Sequence, residues 1–585
     1  MDIECSGRHA LVSRWRPMKD EVVAENGVVT ANHPQAAEAG MRMLEEGGNA
    51  VDAGVATGFV NTVVAPYLAG IAGQGIMLVH LAEEGMTVAI DFNARSPRAA
   101  TPDMYEVVGV AKTGINIFEV ENDEIRTGAK SVCVPGTPAG LCLAHELYGS
   151  LPLGKVMEPA ISLASEGFLV LPYTTARIAA MMPTIRSRPL LAGMWIPDGR
   201  PPLGSAGEKI VQRDLGRLLK RISREGPDAF YRGETTEAIV KYVQRGGGVL
   251  TRDDVEEYEA RVLEPMSVTY RGRSVLTVPA PIGGQTVLET LNIVENFDPR
   301  SLGHNTADYL HLFVECARHA FADRYHYLGD WEAAKVPIGG LLSKEYAKEV
   351  AENVDPDGAA LEPELDEEPW AYYLGKSLHD PWKHDPGPRP SASPFAASAD
   401  SSGTTHFNVV DGDGNVVCCT HFGGFGEGGM PPGSGVYLNG HMGQLIPVAG
   451  HPNSVGGWKH PLTNDSPIMV LEGGRPLFCV GAPGGRRIIS RIAQIALNVL
   501  EFGMGIQEAC AAPTVDASTM ATIVDSRIPA RVIERLSERG HRVQVVEETP
   551  YTGHFSSPSG ILIDRETGLL HGGVEVFGPA LALGR

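Results

Sequence analysis

The sequence predicts an α/β protein with more than one sheet-and-helix unit. Three observations lead to this prediction. The chain has 585 residues, and chains of that length form roughly two to four domain-sized units. Hydrophobic residues make up 43% and charged residues 21% of the chain, a globular composition. Short apolar runs with turn residues between them alternate with helical periods toward both ends.

The N-terminal part predicts strands and helices in alternation. Residues 1–27 are predicted to be a loose leader. The elements that follow are strand 28–31, a helix from Pro34 ended by Gly47-Gly48, helix 51–62, and paired strands 75–81 and 87–92. The stretch from Ala53 to Ala82 has no charged residue, but it contains Pro66 and several glycines. A buried core segment fits it better than a membrane span.

The middle of the chain differs from its two ends. Residues 137–350 are predicted to be mostly helical, most clearly at 213–224, 235–244 and 306–322. Residues 355–403 are rich in Pro, Ser, Asp and Glu, which predicts a long mobile connection. From Thr404 the composition changes to strand 404–410, turn 411–415 and strand 416–420, and further on to strands 467–471 and 477–481 and helix 487–500.

The net charge and the cysteines of the chain indicate which binding partners and which cellular compartment to expect. The formal net charge of −22 disfavours nucleic acids and anionic membranes as partners. Eight cysteines in this length, none with CxxC spacing, do not form a disulfide framework. Residues 1–20 lack the apolar region of a signal peptide. We therefore expect reduced thiols and a cytoplasmic protein.

Thr404 follows a flexible segment and a glycine. A threonine hydroxyl is a weak nucleophile that needs a base. If the Gly403–Thr404 bond is cut, Thr404 gains a free α-amine whose pKa of about 7.7–8.0 suits it as that base. Gly403 tolerates the strained backbone that an acyl shift requires. Taken alone, a threonine at the start of a strand is also an ordinary result of β-propensity.

A second motif lies between a predicted strand and a predicted helix, at Gly481-Ala482-Pro483-Gly484-Gly485. Two successive glycine N–H groups at a helix N-terminus can bind an oxyanion. A tight strand-to-helix turn accounts for the same residues.

The order of the motifs resembles the γ-glutamyltranspeptidase superfamily of N-terminal-nucleophile hydrolases, from about residue 28 to 585. The matching pieces include His33-Pro34, Gly47-Gly48-Asn49-Ala50-Val51-Asp52-Ala53, Val134-Pro135-Gly136-Thr137-Pro138-Ala139-Gly140, Ala320-Phe321-Ala322-Asp323-Arg324, Thr404-Thr405-His406-Phe407, Asp413-Gly414-Asn415 and Gly481-Ala482-Pro483-Gly484-Gly485. The resemblance implies a four-layer αββα sandwich built from both fragments of a self-cleaved precursor.

The same resemblance implies which fragments and which residues act. Cleavage before Thr404 leaves a large fragment, 28–403 after the leader, and a small fragment, 404–585, as a heterodimer. Thr404 carries an acyl-enzyme, and the amides of Gly484 and Gly485 bind the oxyanion. No cofactor or metal is expected, and the sequence has no zinc-binding spacing. The partner is a small-molecule substrate, and further dimerisation is left open.

The sequence departs from the family where the γ-glutamyl group is recognised. Asn93 takes the place of the family's arginine, and neutral Gln444 takes the place of its carboxylate. The other candidate substrate-binding positions are Arg95, Phe422, His441, Thr463, Asn464 and Arg486. Loss of two charged contacts costs on the order of 1.5–3 kcal/mol each. We therefore expect an acyl group other than γ-glutamyl.

The sequence leaves several functions open. Our main hypothesis is an autoprocessing threonine hydrolase or acyltransferase that cleaves an amide or a related carbonyl bond. One alternative is a hydrolase of carbon–carbon bonds in the biosynthesis of alkylproline-type antibiotics. Others are a genuine γ-glutamyltransferase and an unprocessed, non-catalytic relative.

Overall fold

The computed structural model describes residues 17–110, 118–359, 380–385, 403–519, 521–550 and 552–585. Two antiparallel sheets of seven strands each form its centre. The first, here named the Thr404 sheet, has the spatial order Leu581–Gly584, Gly27–Ala31, Thr405–Asp411, Val416–Phe422, Gln74–Leu81, Met86–Phe92 and Arg261–Leu263. The second, the Gly481 sheet, has the order Val22–Ala24, Leu570–Val574, Ser559–Ile563, Arg475–Gly481, Ile468–Glu472, Arg273–Thr277 and Met266–Tyr270.

Alternation of side chains along the strands produces four layers. Val410 and Cys418 pack between the two sheets, against Met469 of the Gly481 sheet. Their neighbours Val409 and Val417 point to the opposite face and pack against helices. Successive residues of a strand point to opposite faces, so each sheet has one face toward the other sheet and one toward a helix layer. The predicted αββα sandwich is therefore confirmed.

Helices cover the outer face of each sheet. Those on the Thr404 sheet include Pro34–Glu45, Ala50–Val64, Thr137–Tyr148, Glu158–Glu166 and Arg213–Glu225. Those on the Gly481 sheet include Gly284–Val294, Ala307–Tyr327, Lys344–Ala351, Arg487–Leu500 and Ile506–Ala511. The remaining helices longer than four residues in the described ranges are Pro172–Ala180, Met182–Arg186, Pro189–Trp195, Glu234–Arg245, Arg252–Glu256 and Ala530–Glu538. A small sheet of Val515–Asp516, Thr522–Asp525 and Val543–Val546 packs against the helix layer of the Gly481 sheet, with Val515 and Val524 in the same core.

The uncharged stretch that begins at Ala53 is a core segment, as predicted. Helix Ala50–Val64 is buried along its whole length. The Asn49 side chain caps it by accepting from two backbone amides of its first turn. A Cβ on Gly54 would lie 2.9 Å from Val417 Cγ1, so a glycine lets this helix approach the sheet closely. In the described part of the chain, no helix is both long and apolar enough to cross a membrane.

Two parts of the chain differ from the prediction. The described part of the predicted loose leader, residues 17–27, is attached to the fold. Strand Val22–Ala24 pairs with Leu570–Val574, and Lys19 Nζ donates to the carbonyls of Gly578 (2.9 Å) and Ala580 (2.7 Å). Residues 137–350 are predicted to be mostly helical, and five strands lie among their helices: Phe168–Leu169, Lys209–Ile210, Arg261–Leu263, Met266–Tyr270 and Arg273–Thr277. Most of the predicted mobile connection at 355–403, and residues 1–16, lie outside the described residues.

Candidate active site

Thr404 lies directly before strand Thr405–Asp411 and is buried, with 2% of its surface exposed. Gly403 precedes it with a φ of +107°, a conformation that favours glycine. A Cβ on Gly403 would lie 2.5 Å from the carbonyl oxygen of Tyr67. Both the backbone conformation and the space around it therefore require glycine before Thr404.

The Gly484–Gly485 turn joins strand Arg475–Gly481 to helix Arg487–Leu500. Gly484 has a φ of +147° and Gly485 a φ of +63°. A Cβ on Gly484 would lie 2.5 Å from Ser556 Cβ. Neither glycine amide donates a hydrogen bond to another described residue. Free N–H groups at a helix N-terminus can receive a developing negative charge.

Thr404 and the Gly484–Gly485 turn face the same cavity. It has a volume of about 210 Å³, and Thr404, Gly484 and Gly485 all line it. Three charged side chains line it too, Arg177, Arg487 and Glu575. The cavity thus places a hydroxyl, two glycine amides and charged groups around one space large enough for part of a small molecule.

Asn32 connects the start of the Thr404 strand to the glycine turn. Its side-chain oxygen accepts from the His406 amide (2.7 Å), and its side-chain nitrogen donates to the Ser557 carbonyl (3.1 Å). The Ser557 amide then donates to the carbonyl of Pro483 (3.0 Å), the residue before the turn. Asn32 also lines the cavity. Two sheets that carry the two halves of the site are therefore joined through one amide side chain.

His406 does not reach the cavity, because its ring lies between the sheets. Its ring nitrogens contact Thr420 Oγ1 (2.8 Å) and Asn408 Oδ1 (3.0 Å). A Cβ on Gly481 would lie 2.3 Å from the ring. Burial lowers the pKa of His406 to about 3. The imidazole is neutral at ordinary pH and holds the sheets together without acting as the base.

Several candidate substrate-binding residues lie along one end of the Thr404 sheet. Phe422 pairs with Gln74, and Gly75 pairs with Phe92. Thr405 pairs with His421, so the next position in the register places Thr404 beside Phe422. By the same step, Gln74 lies beside Asn93. The resulting row crosses four strands and consists of Thr404, Phe422, Gln74 and Asn93. Gln74 Nε2 donates to Gln444 Oε1 (3.1 Å).

His441 and its neighbours are buried and electrically neutral. The His441 ring lies 4.7 Å from the Phe422 ring, and burial lowers its pKa to about 3. Both ring nitrogens of His441, the Asn93 amide group and Gln444 Nε2 have no hydrogen-bond partner among the described residues. Unpartnered buried polar groups are costly. These groups are therefore available to form hydrogen bonds with a substrate on this side of Thr404.

Thr463 and Asn464 are held by a buried arginine. Arg324 Nη2 donates to Asn464 Oδ1 (3.0 Å), and Arg324 Nη1 donates to the Ile282 carbonyl (2.9 Å). Thr463 Oγ1 donates to Asp465 Oδ2 (3.1 Å). Burial raises the pKa of Asp465 to about 7, although the hydrogen bond from Thr463 opposes the shift. Thr463 and Asn464 do not line the Thr404 cavity.

The two arginines among the predicted substrate-binding positions, Arg95 and Arg486, do not line the cavity either. Arg95 forms an ion pair with Glu332 (3.1 Å) and donates to the Trp458 carbonyl (2.9 Å). Arg486 precedes helix Arg487–Leu500, whereas the next residue, Arg487, faces the cavity. The position of Arg487, two residues after the double glycine, is a sequence signal that indicates its place at the cavity. Arg177 has no such signal.

Within the described ranges, no cluster of three or more His, Cys, Asp or Glu side chains is placed to hold a metal ion. The seven cysteines in those ranges are buried and unpaired.

The fold and this site define an N-terminal-nucleophile hydrolase. The chain belongs to the γ-glutamyltranspeptidase family, because the family model described as Gamma-glutamyltranspeptidase matches residues 36–578. It is 35% identical over 507 residues to a glutathione hydrolase proenzyme of Pseudomonas sp. strain A14, covering 84% of this chain and 81% of the relative. It is 34% identical over 530 residues to the acylase ACY 1 proenzyme of Pseudomonas sp. strain SE83, covering 90% and 88%. The structure of cephalosporin acylase from Bacillus halodurans superimposes with a TM-score of 0.83 at 26% identity, covering 98% and 99% of the two chains.

Proposed function

We propose that this chain is a precursor that cuts itself before Thr404 and then uses Thr404 to cleave an amide bond of a small molecule. The observation that carries the proposal is the convergence of Thr404 and the Gly484–Gly485 turn, from two different sheets, on one cavity. Relatives whose names include the word proenzyme support the processing step.

The self-cleavage begins with an N→O acyl shift. Thr404 Oγ attacks the carbonyl carbon of Gly403, the Gly403–Thr404 C–N bond breaks, and the hydroxyl proton passes to the freed amine. Water then hydrolyses the ester, which leaves a carboxylate on Gly403 and a free amino group on Thr404. Gly403 has a positive φ, which glycine adopts without a Cβ clash, so the backbone before the cleaved bond takes a conformation that other residues would not tolerate.

In the processed protein the same hydroxyl serves catalysis. The Thr404 amine accepts the proton of Oγ as the oxygen attacks the substrate carbonyl. The carbonyl oxygen becomes negatively charged, and the amides of Gly484 and Gly485 stabilise it. The amine passes the proton to the leaving nitrogen, and an ester to Thr404 remains. Water, or an acceptor amine, then attacks this ester and releases the acyl group.

The acyl group of the natural substrate is not γ-glutamyl. The row from Thr404 to Asn93 contains neutral amides, and the imidazole of His441 beside it is uncharged. Recognition of the charged groups of an amino acid instead needs an arginine and a carboxylate. The relatives include both glutathione hydrolases and acylases. The neutral residues favour an acylase-type substrate.

Substitution of Thr404 tests the processing step. The wild-type protein is expected to give two fragments on a denaturing gel, with the smaller beginning at Thr404 by N-terminal sequencing. Thr404→Ala is expected to remain one chain, while Thr404→Ser, which keeps a hydroxyl, still processes. An intact wild-type chain would show a non-catalytic relative, and processing of Thr404→Ala would exclude Thr404 as the nucleophile.

Intact mass spectrometry tests the acyl preference. The processed protein is incubated with γ-glutamyl, glutaryl and simple aliphatic acyl amides, and the mass added to the small fragment is measured. We expect aliphatic or glutaryl acyl groups to accumulate faster than γ-glutamyl. Faster acylation by the γ-glutamyl donor would contradict the role given to Asn93 and Gln444.

A further inference from the structure

The site extends from Thr404 in two opposite directions across the strands of its sheet. Phe422, Gln74 and Asn93 extend from Thr404 over the strands on one side. The cavity extends the other way, because Asn32 directly follows strand Gly27–Ala31 and Ala580 directly precedes strand Leu581–Gly584. A substrate that is cleaved at Thr404 places its acyl half on one side and its leaving group on the other. If the first side holds the acyl group, the cavity receives the leaving group.

Two arginines on the cavity side have unused donors. Arg177, on helix Pro172–Ala180, forms no ion pair or hydrogen bond with any described residue. Among the described residues, Arg487 donates once, from Nη1 to the Gly553 carbonyl (2.6 Å). The Nε atoms of both side chains are buried without a partner. In a chain with a net charge of −22, two arginines beside one cavity that have no carboxylate partner among the described residues require an explanation.

Glu575 does not neutralise them. Its carboxylate oxygens accept from the amides of Phe577 and Gly578, so they are oriented toward their own loop. Glu575 forms no ion pair with Arg177 or Arg487 among the described residues, and burial raises its pKa. The cavity lining therefore sets two arginines against one carboxylate, and its net charge is positive.

We propose that Arg177 and Arg487 bind a carboxylate carried by the leaving group of the substrate. This inference rests on the proposed function, since it assigns the second half of the cleaved molecule. Guanidinium groups bind carboxylates through charge-assisted, often bidentate hydrogen bonds. The leaving group is thus an amine that carries an acid, such as an amino acid or an aminobenzoate.

Matched chromogenic substrates test the proposal. Acyl 3-carboxy-4-nitroanilides and acyl 4-nitroanilides differ only in the carboxylate of the leaving group, and each pair is made with a γ-glutamyl, a glutaryl and a pentanoyl acyl group. For every acyl group we expect kcat/KM to be about 10- to 100-fold higher for the carboxylated amide, the range of one or two charge-assisted hydrogen bonds. Arg177→Gln is expected to reduce this ratio to near one, and Arg177→Lys to retain part of it.

Arg186→Gln is the matched control, because Arg186 lies on the next helix and only donates to the Gly199 carbonyl. Its ratio is expected to equal that of the wild type. If Arg177→Gln instead lowers the preference for glutaryl over pentanoyl amides, the arginine binds the acyl half and the proposal is wrong. An unchanged ratio in Arg177→Gln overturns it as well.

Equilibrium dialysis separates this proposal from the proposed function, because it needs no turnover. Processed wild-type protein is expected to bind 3-carboxy-4-nitroaniline at least about tenfold more tightly than 4-nitroaniline, and Arg177→Gln is expected to lose that difference. Equal binding by the wild type refutes the carboxylate site even if the enzyme processes itself and forms an acyl-enzyme. Preferential binding without an acyl-enzyme refutes the catalytic proposal alone.

Discussion

At the scale of single residues, Gly484→Ala adds only one methyl group but is expected to lower kcat strongly. An added Cβ would lie 2.5 Å from Ser556 Cβ, and the φ of +147° is strained for any other residue. Gly484→Ala therefore displaces the turn whose amides face Thr404. Loss of one oxyanion donor typically lowers kcat about 100- to 1,000-fold. We expect a decrease of this size, measured by steady-state kinetics on the processed protein.

Gly473→Ala is the control for this substitution. Gly473 also has a positive φ, +58°, but nothing lies within 4 Å of an added Cβ. Gly473→Ala therefore introduces only the backbone strain of a positive φ, about 1 kcal/mol. The kcat of this variant is expected to match that of the wild type. Equal kcat values for Gly484→Ala and the wild type would remove the glycine turn from the mechanism.

At the scale of elements, Asn32 holds the Thr404 strand against the segment that supports the glycine turn. Asn32→Ala removes both of its hydrogen bonds, while Asn32→Asp keeps the acceptor for His406 and loses the donor to Ser557. Each lost buried bond destabilises the protein by about 1–3 kcal/mol. We expect both variants to process more slowly, and Asn32→Ala more so, when fragment appearance is followed over time on a gel.

Asn353→Ala provides the comparison, because the exposed Asn353 side chain donates to the Glu349 carbonyl of the helix Lys344–Ala351 that it follows, far from the two sheets' junction at Asn32. Its processing rate is expected to equal that of the wild type. A normal rate in Asn32→Ala would mean that the two sheets keep their positions without this bridge.

Elements with strong local signals were predicted well, and contacts between distant elements were not. Helix Arg487–Leu500 has the bounds that the sequence predicts, because a double glycine begins it. Strands Met266–Tyr270 and Arg273–Thr277 were missed because each has only five residues and lies in a part of the chain dominated by helical patterns. The Asn32–Ser557 contact joins residues 525 positions apart, and no local pattern in one sequence shows such a pair. Arg177 was missed for the same reason.

At the scale of the molecule, we expect the fold to keep its core when the chain is cut before Thr404. The Thr404 sheet interleaves the two predicted fragments: Gly27–Ala31 and Gln74–Leu81 come from the large one, and Thr405–Asp411, Val416–Phe422 and Leu581–Gly584 from the small one. Strand Thr405–Asp411 lies between Gly27–Ala31 and Val416–Phe422, so a new N-terminus at Thr404 stays fixed in the sheet. Resemblance to a family predicted this arrangement, whereas local periodicity predicted only an α/β protein.

Buried histidines make the stability of the whole molecule depend on pH. Burial lowers the pKa values of four of them to about 3 and of a fifth to about 4: His33, His406, His421, His441 and His451. An unfolded histidine has a pKa of about 6.5. Below that pH the unfolded chain binds protons that the folded chain does not, so the free energy of unfolding decreases as the pH falls. Asp465, whose folded pKa is raised to about 7, opposes part of this decrease.

His421→Phe isolates the contribution of one histidine. Both ring nitrogens of His421 are buried without a described partner, and its ring packs edge-on against Phe407, so phenylalanine fits the site without the proton. Between about pH 6 and 5, the stability gained by this variant over its parent should grow by about 1.4 kcal/mol per pH unit. Urea unfolding in the single-chain Thr404→Ala background measures it without dissociation of fragments. Exposed His554, replaced by phenylalanine, should show no such growth, and a constant difference for His421→Phe would show that its imidazole protonates in the folded protein.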